Sequence, residues 1–210
     1  MTNHARAERL ALCSTLLQVG PAADTLCEGW LTRDLAAHLT LRDHRPDAQV
    51  GTHIPALAGY TQALQDEAAA RPFGELVDAV RSGPPLWSPT RLAAVDRVVN
   101  TAEFYVHHED VLRAQPGWTP RPVSKSLQRA LWPVCATVAR VAMRSAPVGV
   151  ELVAPGYGRK VVTGSEPLVQ VEGAPGELLL FVFGRRQVAQ VQLAGPPGAV
   201  EQLVGAGAAR

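Results

Sequence analysis

The sequence predicts an α+β protein in which an N-terminal helix bundle is followed by a small domain of helices and strands. Apolar residues in the first half recur at helical spacing. From Gly149 onward the pattern alternates with a period of two, as in strands. Three prolines and a glycine in residues 115–122 separate the halves. We therefore predict a bundle of four principal helices over residues 1–115 and an α+β domain over residues 122–210 that begins with a long helix.

Helices in the N-terminal half are predicted from apolar stripes and from the Pro and Gly residues that close them. On the first helix this stripe is formed by Leu10, Cys13, Leu16 and Leu17. Thr32 has the character of an N-cap for the second helix, with Asp34 in its first turn. The helices expected from these signals cover residues 4–19, 32–45, 55–71, 73–81 and, from a Ser88-Pro89 start and with a break allowed, 88–114.

The C-terminal half is predicted to open with a strongly apolar helix over residues 124–143. Strands are expected at 149–154, 159–163, 168–172 and 188–193. A turn at residues 155–158 joins the first two strands. A helix over 174–183 that ends at Gly184 and a short helix over 197–203 complete the domain.

Composition excludes several classes of function. The 20 basic and 19 acidic side chains nearly cancel, which argues against a broad nucleic-acid-binding face. Residues 1–10 lack the apolar core of a signal peptide, and no stretch approaches the roughly 20 apolar residues of a membrane span. The three cysteines form no CxxC pair, so reduced thiols are expected. We expect a cytoplasmic monomer or homodimer that acts on small molecules, without nucleic-acid or membrane partners.

The segment over residues 101–114 carries the strongest chemical signal. As a helix, it places Glu103 and His107 one turn apart on one face, where a carboxylate and an imidazole can bind one metal ion. His38 lies on the apolar stripe of the second helix and supplies a candidate third ligand. Three protein ligands leave one coordination position open, as catalytic sites require.

The competing interpretation has no metal. Glu103 and His107 would then form a hydrogen-bonded pair on a solvated face, and His38 would be a buried, hydrogen-bonded histidine. For an isolated Glu-x-x-x-His pair we favour the hydrogen-bonded pair over a metal-binding pair by about three to one. The apolar neighbours Ala102 and Val106 shift the balance towards a metal, because an unpaired carboxylate among them is costly.

Three further residues are candidates for supporting roles. Asp110 is one turn beyond His107 and can hold its imidazole in one tautomer. Arg42 and Arg45 continue the stripe of His38. They are either solvated or line the rim of a pocket, where they would bind a thiol or an anionic substrate.

Other polar residues near this segment are interpreted as structural. His108 should point about 100° away from His107, towards solvent or an interface. Glu109 and Arg113 are spaced for a surface ion pair worth tenths of a kcal/mol. No cysteine is assigned as a nucleophile: two lie on apolar helical faces, and Cys27 is in a loop that could approach a pocket but has no His or Asp at a diagnostic spacing.

Two segments of the chain resemble a known family. Residues 28–39, EGWLTRDLAAHL, and residues 103–111, EFYVHHEDV, are similar to the W-x3-DLxxHL and ExxxHxxD patterns of the mycothiol-dependent maleylpyruvate isomerase family. That family belongs to the DinB-like metal-binding superfamily of four-helix bundles. Residues 177–185, ELLLFVFGR, resemble the LLLxxxGR stretch of the domain that accompanies such bundles.

The resemblance implies that His38, Glu103 and His107 bind a divalent metal. Zinc is the first expectation, with nickel, iron or manganese as alternatives. It also implies mycothiol, a sugar thiol, as a co-substrate whose thiolate binds at the open position. The expected function is transfer of this thiol to a small electrophile, or isomerisation of that electrophile. A metal- or thiol-binding protein without catalysis is the alternative, and a helical interaction module without metal is a third.

Overall fold

The computed structural model describes residues 3–45, 58–85 and 99–205. Within these ranges it contains eight α-helices and one four-stranded sheet, which confirms the predicted α+β class. The chain forms two compact units, residues 1–120 and 121–210. That residues 1–115 and 122–210 are separate domains, each folding independently, stays a prediction. Of the helices that the structure describes, none is long and apolar enough to cross a membrane.

Helices alone build the described part of the N-terminal unit. They are α1 (His4–Val19), α2 (Thr32–His44), α3 (Ala58–Ala69), α4 (Phe73–Ser82) and α5 (Thr101–Arg113). Helix α1 packs on α4 and α5, and α2 packs on α3 and α4. The first residues of the predicted 55–71 helix and the predicted helical start at Ser88-Pro89 lie outside the described residues.

The start of α2 differs by one residue from the prediction. Leu31 occupies the N-cap position, and its N–H donates to the Asp34 carboxylate. Thr32 is the first helical residue, and its hydroxyl donates to the carbonyl of Gly20. This bond ties the end of α1 to the beginning of α2, so the side chain of Thr32 is used between helices and not as a cap.

The core of the N-terminal unit confirms two residues of the predicted stripe on α1, Cys13 and Leu16, and corrects the other two. Leu10 and Leu17 are 38% and 49% exposed, whereas Leu12 is fully buried. The inward face also carries the buried carboxylate of Glu8, so counting apolar residues alone places only part of the predicted stripe correctly. The fully buried apolar side chains of this core include Leu12, Cys13, Leu16, Leu35, Leu76, Val77, Val80 and Val111.

The C-terminal unit combines helices with a mixed sheet. Its elements are α6 (Lys125–Ala142), β1 (Gly149–Ala154), β2 (Gly158–Thr163), β3 (Leu168–Gly173), α7 (Pro175–Val182), β4 (Val191–Ala194) and α8 (Pro197–Gly205). The strand order is β2-β1-β3-β4, in which β1 and β3 are parallel and the outer pairs are antiparallel. Strand β4 starts three residues later than predicted, because the N–H groups of Val188 and Ala189 still bond the carbonyl of Arg185 in a turn.

Candidate metal centre

His38 extends from the middle of α2, between fully buried neighbours in the sequence, and its side chain keeps 19% exposure. The ring of Trp30 packs against its imidazole, with ring centroids 5.0 Å apart and planes tilted by 48°. The backbone of Trp30 is itself fixed by its loop. Its backbone N–H donates to the carbonyl of Cys27, and its backbone carbonyl accepts a 2.8 Å hydrogen bond from the hydroxyl of Thr25. The loop before α2 therefore orients the imidazole of His38.

Glu103 and His107 converge on the same point from α5. Glu103 Oε1 lies 3.3 Å from His107 Nε2 and 3.6 Å from His38 Nε2. The two imidazole rings meet edge to face, with centroids 5.6 Å apart and an angle of 67°. One ligand atom from each of the three side chains lies within 4.8 Å of the other two. The structure therefore brings together the three residues that the sequence singles out.

The donor set suits a zinc-type divalent ion. Two imidazole nitrogens and one carboxylate oxygen form a common zinc ligand set, with bonds of about 2.0–2.2 Å. Donors on such a tetrahedral ion lie roughly 3.3–3.5 Å apart, and Glu103 Oε1 is 3.3 and 3.6 Å from the two nitrogens. Small side-chain movements would seat one ion. The assignment of these residues as metal ligands stays a prediction.

Asp110 contacts the far side of the His107 ring. Its Oδ2 atom lies 3.0 Å from His107 Nδ1, and the residue is fully buried. A carboxylate only accepts hydrogen bonds, so this contact favours a proton on Nδ1, and Nε2 is the nitrogen that faces Glu103. The contact is the one expected of a residue that holds a ligand imidazole in its tautomer.

Arg42 lies beside the centre and uses all three guanidinium nitrogens within the unit. Its Nε lies 3.4 Å from Glu103 Oε1, its Nη2 donates to Asn100 Oδ1 at 2.8 Å, and its Nη1 lies 3.4 Å from Asp43 Oδ1. The side chain is 12% exposed. Arg42 therefore neutralises and positions Glu103, while its predicted contact with a thiol or substrate stays a prediction.

Arg45 is placed differently. It is the C-cap residue of α2, and its guanidinium donates to the hydroxyl of Tyr60 at 3.2 Å. It also lines a cavity of about 380 Å³ on the side of α2 that packs on α3 and α4, together with Thr40, His44, Leu64, Glu67 and Arg71. Its predicted role in binding also stays a prediction.

The charges of the centre are strongly coupled. Burial opposes ionisation of Glu103, but hydrogen bonds from His107 and His38 and the charges of His107 and Arg42 outweigh it, so the pKa of Glu103 lies well below its usual value. Burial lowers the pKa of His107, yet its hydrogen bonds to Asp110, Cys27 and Glu103 outweigh this effect and hold that pKa well above its usual value. The centre thus favours an anionic carboxylate with a cation beside it, and a metal ion would replace the proton on Nε2.

The sequence assigned no role to Cys27, although it left open that the loop of this residue approaches a pocket. Its Sγ atom lies 3.3 Å from Asp110 Oδ2 and 3.8 Å from His107 Nδ1. The N–H of Leu26 donates to the backbone carbonyl of Asp110 at 3.1 Å, which holds the loop against α5. This contact is tertiary, so no spacing in the chain could have indicated it.

His108 points away from the centre, and of the two surroundings predicted for it, solvent or an interface, the structure shows an interface between helices. It is only 5% exposed, because α1 covers the face of α5 that points away from the centre. Both ring nitrogens have partners on α1: Nε2 lies 2.9 Å from Thr15 Oγ1, and Nδ1 lies 3.4 Å from Glu8 Oε2. His108 is therefore part of a buried polar contact between the two helices.

The Glu109–Arg113 pair is also buried and not a surface ion pair as predicted. Arg113 Nε donates to Glu109 Oε2 at 2.6 Å, and the side chains are 2% and 1% exposed. The guanidinium also lies over the ring of Trp118, 5.0 Å from its centroid. The residues that follow α5 cover this pair, which helical spacing alone does not reveal.

Two solved structures share this fold. Both are described as the mycothiol-dependent maleylpyruvate isomerase, and one of them carries a histidine-to-alanine substitution. Their TM-scores are 0.60 and 0.61 at 14% sequence identity, and each alignment covers 91% of this chain and 90% of the solved chain. No family profile matches the sequence, and no curated protein matches it. The likeness therefore shows a common fold.

Proposed function

We propose that this protein is a metal-dependent enzyme that uses a low-molecular-weight thiol to modify a small electrophile, by transfer or by isomerisation. The observation that carries the proposal is the convergence of His38, Glu103 and His107 on one point, with their ligand atoms within 4.8 Å of one another. The fold shared with an isomerase described as mycothiol-dependent supports mycothiol as the thiol.

Each residue of the centre has a defined task in this proposal. A bound zinc-type ion, or nickel, iron or manganese in its place, would supply Lewis acidity and keep the thiol as its nucleophilic thiolate at neutral pH. Glu103 contributes the negative charge of the ligand set. Trp30 orients the imidazole of His38, and Asp110 orients that of His107. Three protein ligands leave the remaining position for the thiol.

The substrate side of the proposal is an anionic electrophile. Maleylpyruvate is a natural first probe, because the isomerase with the shared fold is described by that substrate. Arg42 and Arg45 are our candidates for the groups that contact the anion or the thiol. Since Arg42 already contacts Glu103 and Asn100, a ligand at Arg42 would share the guanidinium with them.

The test is a thiol-consumption assay. Protein stripped with a chelator and reloaded with zinc, nickel, iron or manganese is supplied with mycothiol and a panel of small electrophiles that includes maleylpyruvate. We expect turnover that requires both metal and thiol and that is lost in Glu103→Gln. His44→Gln is the matched control, because His44 lies on α2 but bonds the backbone carbonyl of Thr40. Thiol binding without turnover would indicate a non-catalytic metal- or thiol-binding protein, and no metal-dependent turnover would refute the enzyme.

A further inference from the structure

His107 has a group of potential ligands on each side of its ring. Nε2 faces Glu103, as described above. Nδ1 lies 3.0 Å from Asp110 Oδ2 and 3.8 Å from Cys27 Sγ, and these two atoms are 3.3 Å apart. A sulfur, a nitrogen and an oxygen therefore lie within 4.8 Å of one another on the second side.

We infer that Cys27, Asp110 and Nδ1 of His107 form a second metal site, selective for thiophilic divalent cations such as cadmium. A tetrahedral zinc ion, with bonds of about 2.3 Å to sulfur and 2.0–2.1 Å to nitrogen and oxygen, places such donors roughly 3.3–3.6 Å apart. The observed separations of 3.0, 3.3 and 3.8 Å bracket that spacing. The sulfur distinguishes this set from the His38–Glu103–His107 set, which offers only nitrogen and oxygen, and soft cations favour sulfur.

The ligands of this second set are positioned before any ion arrives. The N–H of Cys27 donates to Thr25 Oγ1 at 3.1 Å, and the N–H of Leu26 donates to the Asp110 carbonyl at 3.1 Å. Asp110 is fully buried, whereas Cys27 is partly exposed. The loop therefore holds the thiol in place on a residue that is partly exposed to solvent.

The alternative is a hydrogen-bonded cluster without metal, in which Cys27 and His107 both donate to Asp110. A metal ion would replace the two shared protons: the S–H and the Nδ1–H protons leave to solvent as the metal–sulfur and metal–nitrogen bonds form. The two interpretations therefore differ in whether a thiolate–metal bond is made, and that bond has its own ultraviolet absorption.

The second site also has a consequence for the first, and this part rests on the proposed function. A neutral imidazole has one lone pair, so a metal on Nδ1 leaves the proton on Nε2. Nε2 then donates to Glu103 and cannot bind an ion. We therefore expect the two sites to exclude each other, so that a thiophilic cation bound through Cys27 inhibits the centre at His38, Glu103 and His107.

The experiment titrates the metal-free full-length protein with cadmium and records thiolate-to-cadmium charge-transfer absorption. We expect a band that saturates at one cadmium per chain, is absent in Cys27→Ser and Cys27→Ala, and is weakened in Asp110→Asn. Cys135→Ser is the control for a thiol that is not a member of the cluster and should retain the band, with circular dichroism checking the fold of each variant. No band at stoichiometric cadmium, or a band that survives both substitutions of Cys27, would overturn the site.

A second arm separates this inference from the proposed function. His38→Ala should keep the cadmium band, because His38 is not a ligand of the second set. If His38→Ala retains the cadmium band while the wild type shows no metal-dependent turnover, the thiophilic site is supported and the proposed enzymatic function is refuted. Elemental analysis after gel filtration tests exclusion: one cadmium per chain in the wild type supports it, and two per chain would refute it.

Discussion

His38 Nε2 lies 3.6 Å from Glu103 Oε1, although the two residues belong to helices that are distant in the chain. Around this contact α2 and α5 are joined by polar side chains, because Arg42 also bonds Glu103 and Asn100. A cluster of this polarity is costly to bury unless its charges are matched. Arg42 supplies part of the positive charge, and a divalent cation bound by His38, Glu103 and His107 would add to it.

Replacement of His38 by alanine should therefore abolish tight metal binding. The loss should exceed the roughly 10–100-fold effect of residues that only support a ligand, because a ligand itself is removed. Metal affinity is measured by competition with a chromogenic chelator. His44→Ala, on the same helix, should leave affinity unchanged; undiminished affinity in His38→Ala would remove the residue from the ligand set.

Asp110→Asn should weaken metal binding by roughly 10–100-fold without unfolding the protein. Asparagine can still accept a hydrogen bond from His107 Nδ1, but it lacks the charge that strengthens the imidazole as a ligand. The same chelator competition measures the effect. Asp78→Asn is the matched control, since that side chain is 70% exposed and pairs with Arg81 on the surface of α4. Equal affinities for the two variants would contradict this role of Asp110.

Helical period explains why part of the centre could be predicted from sequence. Glu103 and His107 are one turn apart, so their proximity depends only on α5 being helical. His38 required a second kind of signal, a polar residue on an otherwise apolar stripe. Both signals are local, so they can be recognised in the sequence without knowledge of how the helices pack.

The features that sequence reasoning missed all depend on tertiary packing. Cys27 reaches the cluster because its loop bonds the backbone of α5, and His108 is buried because α1 covers it. The inward face of α1 includes Glu8, a polar residue that pairs with His108. A stripe of polar partners on two helices looks like a solvated surface until both helices are in place, so these residues could not be assigned from the chain alone.

Arg42→Lys should lower both stability and metal affinity. A lysine ammonium is a point charge and cannot reproduce the fork that contacts Glu103, Asn100 and Asp43 together. Loss of these charged hydrogen bonds should lower the free energy of unfolding by about 1.5–3 kcal/mol. Urea unfolding measures it, with Arg71→Lys as the control, since the Arg71 pair with Glu75 is exposed and should contribute little. A stability equal to that of the control would contradict the positioning role.

Arg113→Met should destabilise the protein by about 3 kcal/mol, because it removes the cation that faces the buried carboxylate of Glu109. The comparison variant is Arg81→Met. Arg81 and Asp78 form an ion pair at 2.9 Å whose side chains are 41% and 70% exposed, and such pairs contribute less than about 1 kcal/mol. Thermal and urea unfolding of both variants separate the two cases, and similar losses would show that burial of the Glu109–Arg113 pair has no energetic effect.

The buried thiols predict a loss of stability at alkaline pH. Burial raises the pKa of Cys13 from an ordinary 9.0 to about 11, despite the opposing charges of Arg81 and Arg9, and burial raises that of Cys135 to about 12. The folded protein therefore keeps protons that the unfolded chain releases, and the free energy of unfolding falls as pH rises through the window from 9.0 towards those values. Below pH 9 the effect vanishes, since both states hold the protons.

Each thiol should lower the free energy of unfolding by about 1.4 kcal/mol at pH 10 relative to its contribution at neutral pH. Other groups also titrate in this range, so the informative quantity is the difference between wild type and variants. Urea unfolding at pH 8 and pH 10 should show a smaller drop in Cys13→Ala and in Cys135→Ala than in the wild type, whatever their stability at pH 8. Cys27 is partly exposed, so the Cys27→Ala variant serves as the comparison for the two buried thiols. An identical drop in the wild type and in both buried-thiol variants would show that these thiols ionise in the folded protein as readily as in the unfolded chain.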